Sequence, residues 1–344
     1  MSHLGRLLPR ACALAAALAL APAARAADPD ARHLVGKVLT QPRGIPNHMA
    51  LDDKKVYWSE ESSEAKPEPG LYAMAVDGTG GIDALYEGAD VQALALGDTS
   101  VLFAVGGKLA GRVYVVAKGD TKATTLINGK SADPAYDRVD AIAVGGSDAF
   151  AAYSPIGCKD GGGAIVRASL LPDTSPEVFA HACPDGLVVT ADAVIWVEHH
   201  AKDASGARRP ESLMRMARDA KPLSPPTELG TWSIYGTPVV VRDTLYFVVE
   251  DDLLALPTQG GAARTVGHPF RRKLLAVGDQ VFGIDLIGGA IGAIDPDGKL
   301  VDIGKLGVTP HTIVLHTVGG PAGLFFGAGD MGRSGVIGRA ELSE

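Results

Sequence analysis

The sequence predicts an all-β fold: a β-propeller of seven four-stranded antiparallel blades, the last closed by a strand from the N-terminus. Three observations predict it. A unit of four short apolar or alternating runs, separated by turn residues, recurs along the chain. Glycine is abundant, 43 of 344 residues with 22 prolines and no collagen period, which suits many short strands and tight turns. One spare run stands at the start, and the last unit is one run short.

Met49-Ala50-Leu51, Val56-Tyr57-Trp58-Ser59-Glu60, Gly70-Leu71-Tyr72-Ala73-Met74 and Ala84-Leu85-Tyr86 make the first unit. Asp77-Gly78 falls where a tight hairpin turn belongs. The inner runs of the next six units begin at Leu94, Ile142, Leu187, Val239, Leu275 and Ile313. Their spacing, roughly 35–51 residues, is the range of four-stranded blades. Each inner run is apolar throughout, as expected of a strand covered on both faces by neighbouring blades. The second run carries the aromatic expected to fill the gap between blades. A lone sheet of this size cannot bury its faces, whereas seven packed radially can. The seventh unit, Ile313-Val314-Leu315 onward, stops after Arg339-Ala340-Glu341-Leu342 without a fourth run. The orphan run 34–40 is expected to supply it, closing the ring and covering a sheet edge. Six blades is the alternative, should the irregular third or fifth unit be misdivided.

The N-terminus reads as a secretory signal, residues 1–26, ahead of a single propeller domain, 27–344. Arg6 and Arg10 precede a short apolar run over 11–22, and Ala24-Arg25-Ala26 offers a cleavage site. The run is shorter than the ~20 residues that span a bilayer, and no later stretch is apolar for longer. Cys12 stands at the start of the apolar run with the rest of the run after it, the wrong order for a lipid anchor. A periplasmic or secreted monomer with no transmembrane segment after cleavage is therefore expected. The net charge of −8, with no Lys/Arg cluster interleaved with aromatics, argues against nucleic acid as a partner. Cys158 and Cys183 are expected to form a disulfide in an oxidising compartment, closing a loop of ~25 residues for about 3 kcal/mol. A two-cysteine metal site is the alternative, and the Cys-x-x-Cys spacing it favours is absent.

Counting two positions back from each inner run gives Asn47, Gln92, Asp140, Asp185, Thr237, Lys273 and His311. All seven are polar beside apolar strands, so they are expected to ring the mouth of the central channel. A ring of this kind can bind a small ligand, an ion or a peptide end. It is also what a wet channel mouth looks like. Carboxylate, amide, cation and imidazole are mixed, so no dedicated metal cage is expected. Arg271 and Arg272 could draw in an anion or balance nearby acids. A second belt, including Glu60, Glu61, Cys158, Glu198, His199 and His200, follows the second runs on the same face. Excursions at 59–69, 154–162 and 198–211 also fall on this face, as binding loops often do. His199 and His200 point opposite ways on an extended chain and read as an exposed pair. Asp295-Pro296-Asp297-Gly298 reads as a hairpin turn, since the further oxygen ligands of a calcium loop are missing. No nucleophile elbow, phosphate loop, dinucleotide fingerprint or His-Glu-x-x-His is present. His48 and His311 are the candidates for a general base.

Tyr57-Trp58-Ser59-Glu60 and its echo Ile195-Trp196-Val197-Glu198 resemble the Tyr-Trp-Thr-Asp repeats of lipoprotein-receptor-type propellers. The Gly-x-hydrophobic-x and Asp-Gly punctuation is similar to that of NHL and TolB-type propellers. The likeness runs over nearly all of the chain after residue 26, although Thr-Asp is replaced by Ser-Glu in one unit and lost in most. It implies a propeller fold, and that Glu60 and Glu198 bond neighbouring backbone as the repeat acid does. Many such propellers are binding scaffolds and a few are hydrolases or lyases, and fold does not fix function. The reading is a secreted scaffold that recognises a small molecule or protein partner on the funnel face, with no cofactor. The alternative is a lactonase-like hydrolase or lyase with a divalent cation or a His base in the funnel.

Overall fold

The computed structural model describes residues 34–42, 44–61, 68–106, 111–129, 133, 136–155, 158, 162–171, 174–201, 209–268, 272–277, 279–285, 290–294, 300–305, 312–320, 323–330 and 334–342. Residues 1–26, Arg271, His311 and the turn at 295–298 lie outside them. Seven antiparallel blades follow in chain order over 45–87, 91–128, 139–182, 184–232, 234–267, 272–305 and 312–342. Blade seven takes its fourth strand from Leu34–Thr40, which pairs antiparallel with Ser334–Leu342 in a register that sets Lys37 opposite Arg339. This strand has a second neighbour. It also pairs in parallel with Leu300–Lys305 of blade six, through Leu34 and Val35, so blades six and seven form one eight-stranded sheet. Among the described residues no helix is long and apolar enough to cross a membrane.

The core follows from the two-residue side-chain period of a strand. In the second strand of blade two, Ser100–Val105, alternate residues point to opposite faces. Val101, Phe103 and Val105 pack towards blade one, Leu102 and Ala104 towards blade three. In blade four, Val194 and Trp196 face blade three while Ile195 and Val197 face blade five. Repeated round the ring, this gives an apolar cluster at each of the seven junctions. The last sets Val56 and Trp58 of blade one against Phe325 and Ile337 of blade seven. Trp58, Phe103, Phe150, Trp196, Phe247 and Phe325, all from second strands, are among the largest fully buried side chains. Each contributes roughly 1.5–3 kcal/mol of transfer free energy.

Two expectations need correction. The inner strands, expected to be covered on both faces, are only partly so: Val91–Leu96 is largely half-buried, while the neighbouring Ser100–Val105 is buried throughout. An inner strand has blades on its two faces but its outer edge lines the channel, whereas the second strand is flanked on every side. The inner register of blade seven is also displaced. Thr317, not Ile313, stands opposite Phe326, as Leu94 stands opposite Phe103 in blade two. Leu315 therefore holds the place two residues before the inner triplet.

Candidate functional site

Each blade is a simple meander, so the start of its first strand and the turn between strands two and three share one end of the ring. At that end most inner strands are irregular. Gln92 is an extra residue between the pairs Val91–Val105 and Ala93–Ala104. Asp140 is extra between Val139–Tyr153 and Ala141–Ala152. In blade one, Asn47 and His48 lie between the pairs Pro46–Glu60 and Met49–Trp58, and the His48 backbone N–H donates to Ser59 Oγ at 2.9 Å. Blade four places its extra residue at Gly186, directly after Asp185, and blade five is irregular from Tyr235 to Val239, around Thr237. A β-bulge leaves a residue unpaired and re-aims its side chain. Five of the positions found by counting thus sit in or beside a bulge.

A cavity of about 900 Å³ opens at this end, walled by Asn47, Gln92, Asp140 and Asp185 from blades one to four. Thr237 lies next along the ring: a β-carbon on Gly186 would come within 3.1 Å of its methyl group. Lys273 is the second residue of the regular inner strand of blade six, Arg272–Val277, close enough to His48 to act on its charge. The Arg272 backbone stands opposite that of Asp285 at the start of the same strand. The disulfide between Cys158 and Cys183, with Cα atoms 5.7 Å apart, forms part of the wall and ties the strand two–three connection of blade three to the entry of blade four.

Further wall residues come from the same geometry. Asp90 and Arg138 stand two residues before Gln92 and Asp140, on the same side of an extended chain. Glu61 and His199 each follow the repeat glutamate directly. Those repeat glutamates are structural. Glu60 accepts from the Trp58 indole at 2.9 Å and from the Gly44 backbone N–H at 3.0 Å. Glu198 accepts from the Trp196 indole at 2.8 Å and from the Cys183 backbone N–H at 2.7 Å. Both are buried. The histidine pair, by contrast, is not simply exposed. His199 Nε2 meets Asp185 Oδ2 at 2.9 Å, with Glu211 Oε1 3.7 Å from its Nδ1, and His200 Nε2 meets Ser212 Oγ at 2.9 Å. The two rings do point apart, and each finds a partner.

The electrostatics of the wall are uneven. Burial raises the Asp140 carboxyl above its usual range, despite Arg138 at 2.6 Å and a bond from Ser154, and the Asp185 charge adds to the rise. Burial, helped by the Lys273 charge, lowers His48 to about 4, so its imidazole is neutral at physiological pH and a weak base. Burial also lowers Lys273 to about 8. Gln92 Oε1 is buried with no hydrogen-bond partner among the described residues. Among those residues no group of three or more His, Cys, Asp or Glu side chains converges as a metal site.

No family model matches the sequence, and no curated protein matches it. Solved structures do match the fold. A streptogramin B lyase superposes with a TM-score of 0.61 at 15% identity, covering 91% of this chain and 98% of the other. YCF48 bound to D1 peptide gives 0.58 at 11% identity, over 92% and 97%. A Mycobacterium tuberculosis puromycin-hydrolyzing peptidase gives 0.60 at 14% identity over 87% of this chain, which spans only 53% of that larger protein. At such identities the likeness establishes the seven-bladed propeller as the shared feature, and the site must be read from this chain's own residues.

Proposed function

We propose that this chain is an exported binding propeller, and that the cavity at the bulged end of blades one to four takes a small polar ligand. One observation carries the reading: successive inner strands depart from regular pairing where their polar residues reach the cavity wall. Regular pairing would hold those side chains in the sheet, so the bulges cost pairing and gain a polar wall. About 900 Å³ is within the range of small-molecule sites, ~300–1,000 Å³. Export is supported by the signal-like segment 1–26 and by a disulfide, a bond that persists in oxidising compartments.

A second reading, catalysis, is favoured by His199. Its imidazole is held at the wall between two carboxylates, as an oriented general base is. The lyase and peptidase among the structural relatives are consistent with chemistry on this architecture. His48, neutral and weakly basic, suits that role less.

One experiment tests both. The purified chain is exposed to a panel of sugars, amino acids, carboxylic acids, lactones and amines, with binding read by saturation-transfer NMR and turnover by product analysis. The binding reading expects at least one ligand that is lost in Gln92→Trp, which sets a bulky ring in the cavity wall, and kept in His199→Ala with no turnover. Turnover abolished by His199→Ala establishes the catalytic reading instead. Ligands indifferent to Gln92→Trp place the site elsewhere and overturn both.

A further inference from the structure

Resting on the cavity as the binding site, we infer that Tyr235 extends it at blade five and that the ligand is a carbohydrate, lying on the Tyr235 phenol while its hydroxyls meet the polar wall. The pairing register singles out this residue. In blades one to five the inner strand closes on the second strand through Pro46–Glu60, Val91–Val105, Val139–Tyr153, Pro184–Glu198 and Ile234–Val249. In the first four blades the residue that follows is Asn47, Gln92, Asp140 and Asp185 in turn, each of them cavity wall. In blade five it is Tyr235. Asp185 and Tyr235 correspond further, since each pairs one residue back along the second strand, with Val197 and Val248. Counting back from the apolar run lands instead on Thr237, inside the longer bulge of blade five.

Packing gives the side chain the same direction as its counterparts. Val91, Val139 and Ile234 all pack into the core shared with the preceding blade. The next side chain along an extended strand points the other way, and for Gln92 and Asp140 that way is the cavity. Tyr235 accordingly stands 60% exposed, and of the six large apolar side chains exposed among the described residues it alone is aromatic. A single exposed apolar residue means little by itself. This one stands in line with four wall residues, and its bulge lies against the strand of Asp185, where a β-carbon on Gly186 would come within 3.1 Å of Thr237.

The rest of the wall decides what lies on that phenol. Its apolar members are few, and Val91 and Val139 face the junction cores. An aromatic or aliphatic ligand would cover polar groups on every other side, and burying those groups unpaired is unfavourable. The wall mixes acceptors and donors: the carboxylates of Asp90 and Asp140, the amides of Asn47 and Gln92, and the Arg138 guanidinium. A hydroxyl both donates and accepts, so a molecule dense in hydroxyls satisfies either kind. A sugar combines such an edge with an apolar C–H face, which rests on the electron-rich face of a phenol.

Saturation-transfer NMR on the whole purified chain tests this, with glucose, galactose, mannose, N-acetylglucosamine, maltose and cellobiose as probes and citrate and phenylalanine as comparisons. At least one sugar is expected to bind. Tyr235→Ala is expected to weaken it about three- to tenfold, and Tyr235→Phe, which keeps the aromatic face, less than about twofold. Both variants are expected to keep the wild-type urea midpoint, since the side chain is exposed. Leu171→Ala, a similarly exposed apolar residue between strands three and four of blade three, at the other end of the propeller, is expected to change nothing. Sugar binding that survives Tyr235→Ala, or that Tyr235→Phe loses as fully, overturns the stacking role. Citrate or phenylalanine binding that Gln92→Trp abolishes, without any sugar binding, overturns the ligand class while sparing the cavity as the site. If neither these probes nor the wider panel binds, the cavity reading itself falls, and this inference with it.

Discussion

The Glu198 carboxylate accepts two N–H bonds in the interior of blade four, from the Trp196 indole and the Cys183 backbone. Glu60 does the same in blade one with Trp58 and Gly44. Both acids are almost fully enclosed, so each bond replaces hydration that its donor has lost. Glu198→Ala strands both donors and is expected to cost about 3 kcal/mol, measured by urea denaturation. Glu198→Gln keeps one acceptor but turns an amide N–H towards the other donor, for an expected intermediate loss. Urea midpoints unchanged in both variants would show the acid to be dispensable. This role was legible because the Trp-x-Glu spacing repeats and resembles a known repeat acid. His199 was not legible, for a physical reason. An extended chain reveals that adjacent side chains diverge, but it does not reveal that Asp185, fourteen residues earlier, comes to face one of them.

At the scale of the strand, the sequence located the ring by counting, and the structure supplies the device that presents it. A bulge has no composition signature apart from its glycine, so Gln92 and Asp140 look in sequence like ordinary inward or outward residues. Only the pairing register shows them to be extra. The same blindness displaced the inner run of blade seven by four residues, because apolar Ile313-Val314-Leu315 fits the strand pattern as well as the stretch from Thr317 that holds the equivalent register in the same strand. Gly186 is the exception that composition could have flagged. Its φ of +74° lies in the left-handed region, where an L side chain is disfavoured. A β-carbon there would also sit 3.1–3.4 Å from Thr237. Gly186→Ala is expected to destabilise the chain by about 1–2 kcal/mol and to displace Asp185. Chemical denaturation reads the first effect, and loss of the Asp185–His199 contact in a structure of the variant reads the second. Wild-type stability in Gly186→Ala would mean that the bulge tolerates a relaxed backbone and does not fix the ring.

Across the whole molecule, every apolar cluster is shared by two blades, so no blade is complete until the ring is. That closure was legible as a strand count: one run spare at the start, one missing at the end. Its wider consequence was not, because a two-residue parallel contact leaves no periodicity to read. Strand Leu34–Thr40 lies between Ser334–Leu342 and Leu300–Lys305, so its removal exposes two sheet edges at once, one in each of two blades. It also withdraws Leu39 from beside the core between blades seven and one. A chain that begins after Thr40 is therefore expected to unfold at lower urea concentration and to self-associate through the opened edges. A synthetic peptide of residues 34–40, added in trans, should pair into the gap and restore both the midpoint and the sedimentation of the intact chain, since backbone bonds drive such strand addition. A scrambled peptide of the same composition should not, because the register that sets Lys37 opposite Arg339 depends on order. A truncated chain that matches the intact one in midpoint and in sedimentation would mean that the seven cores hold the ring shut without the strand.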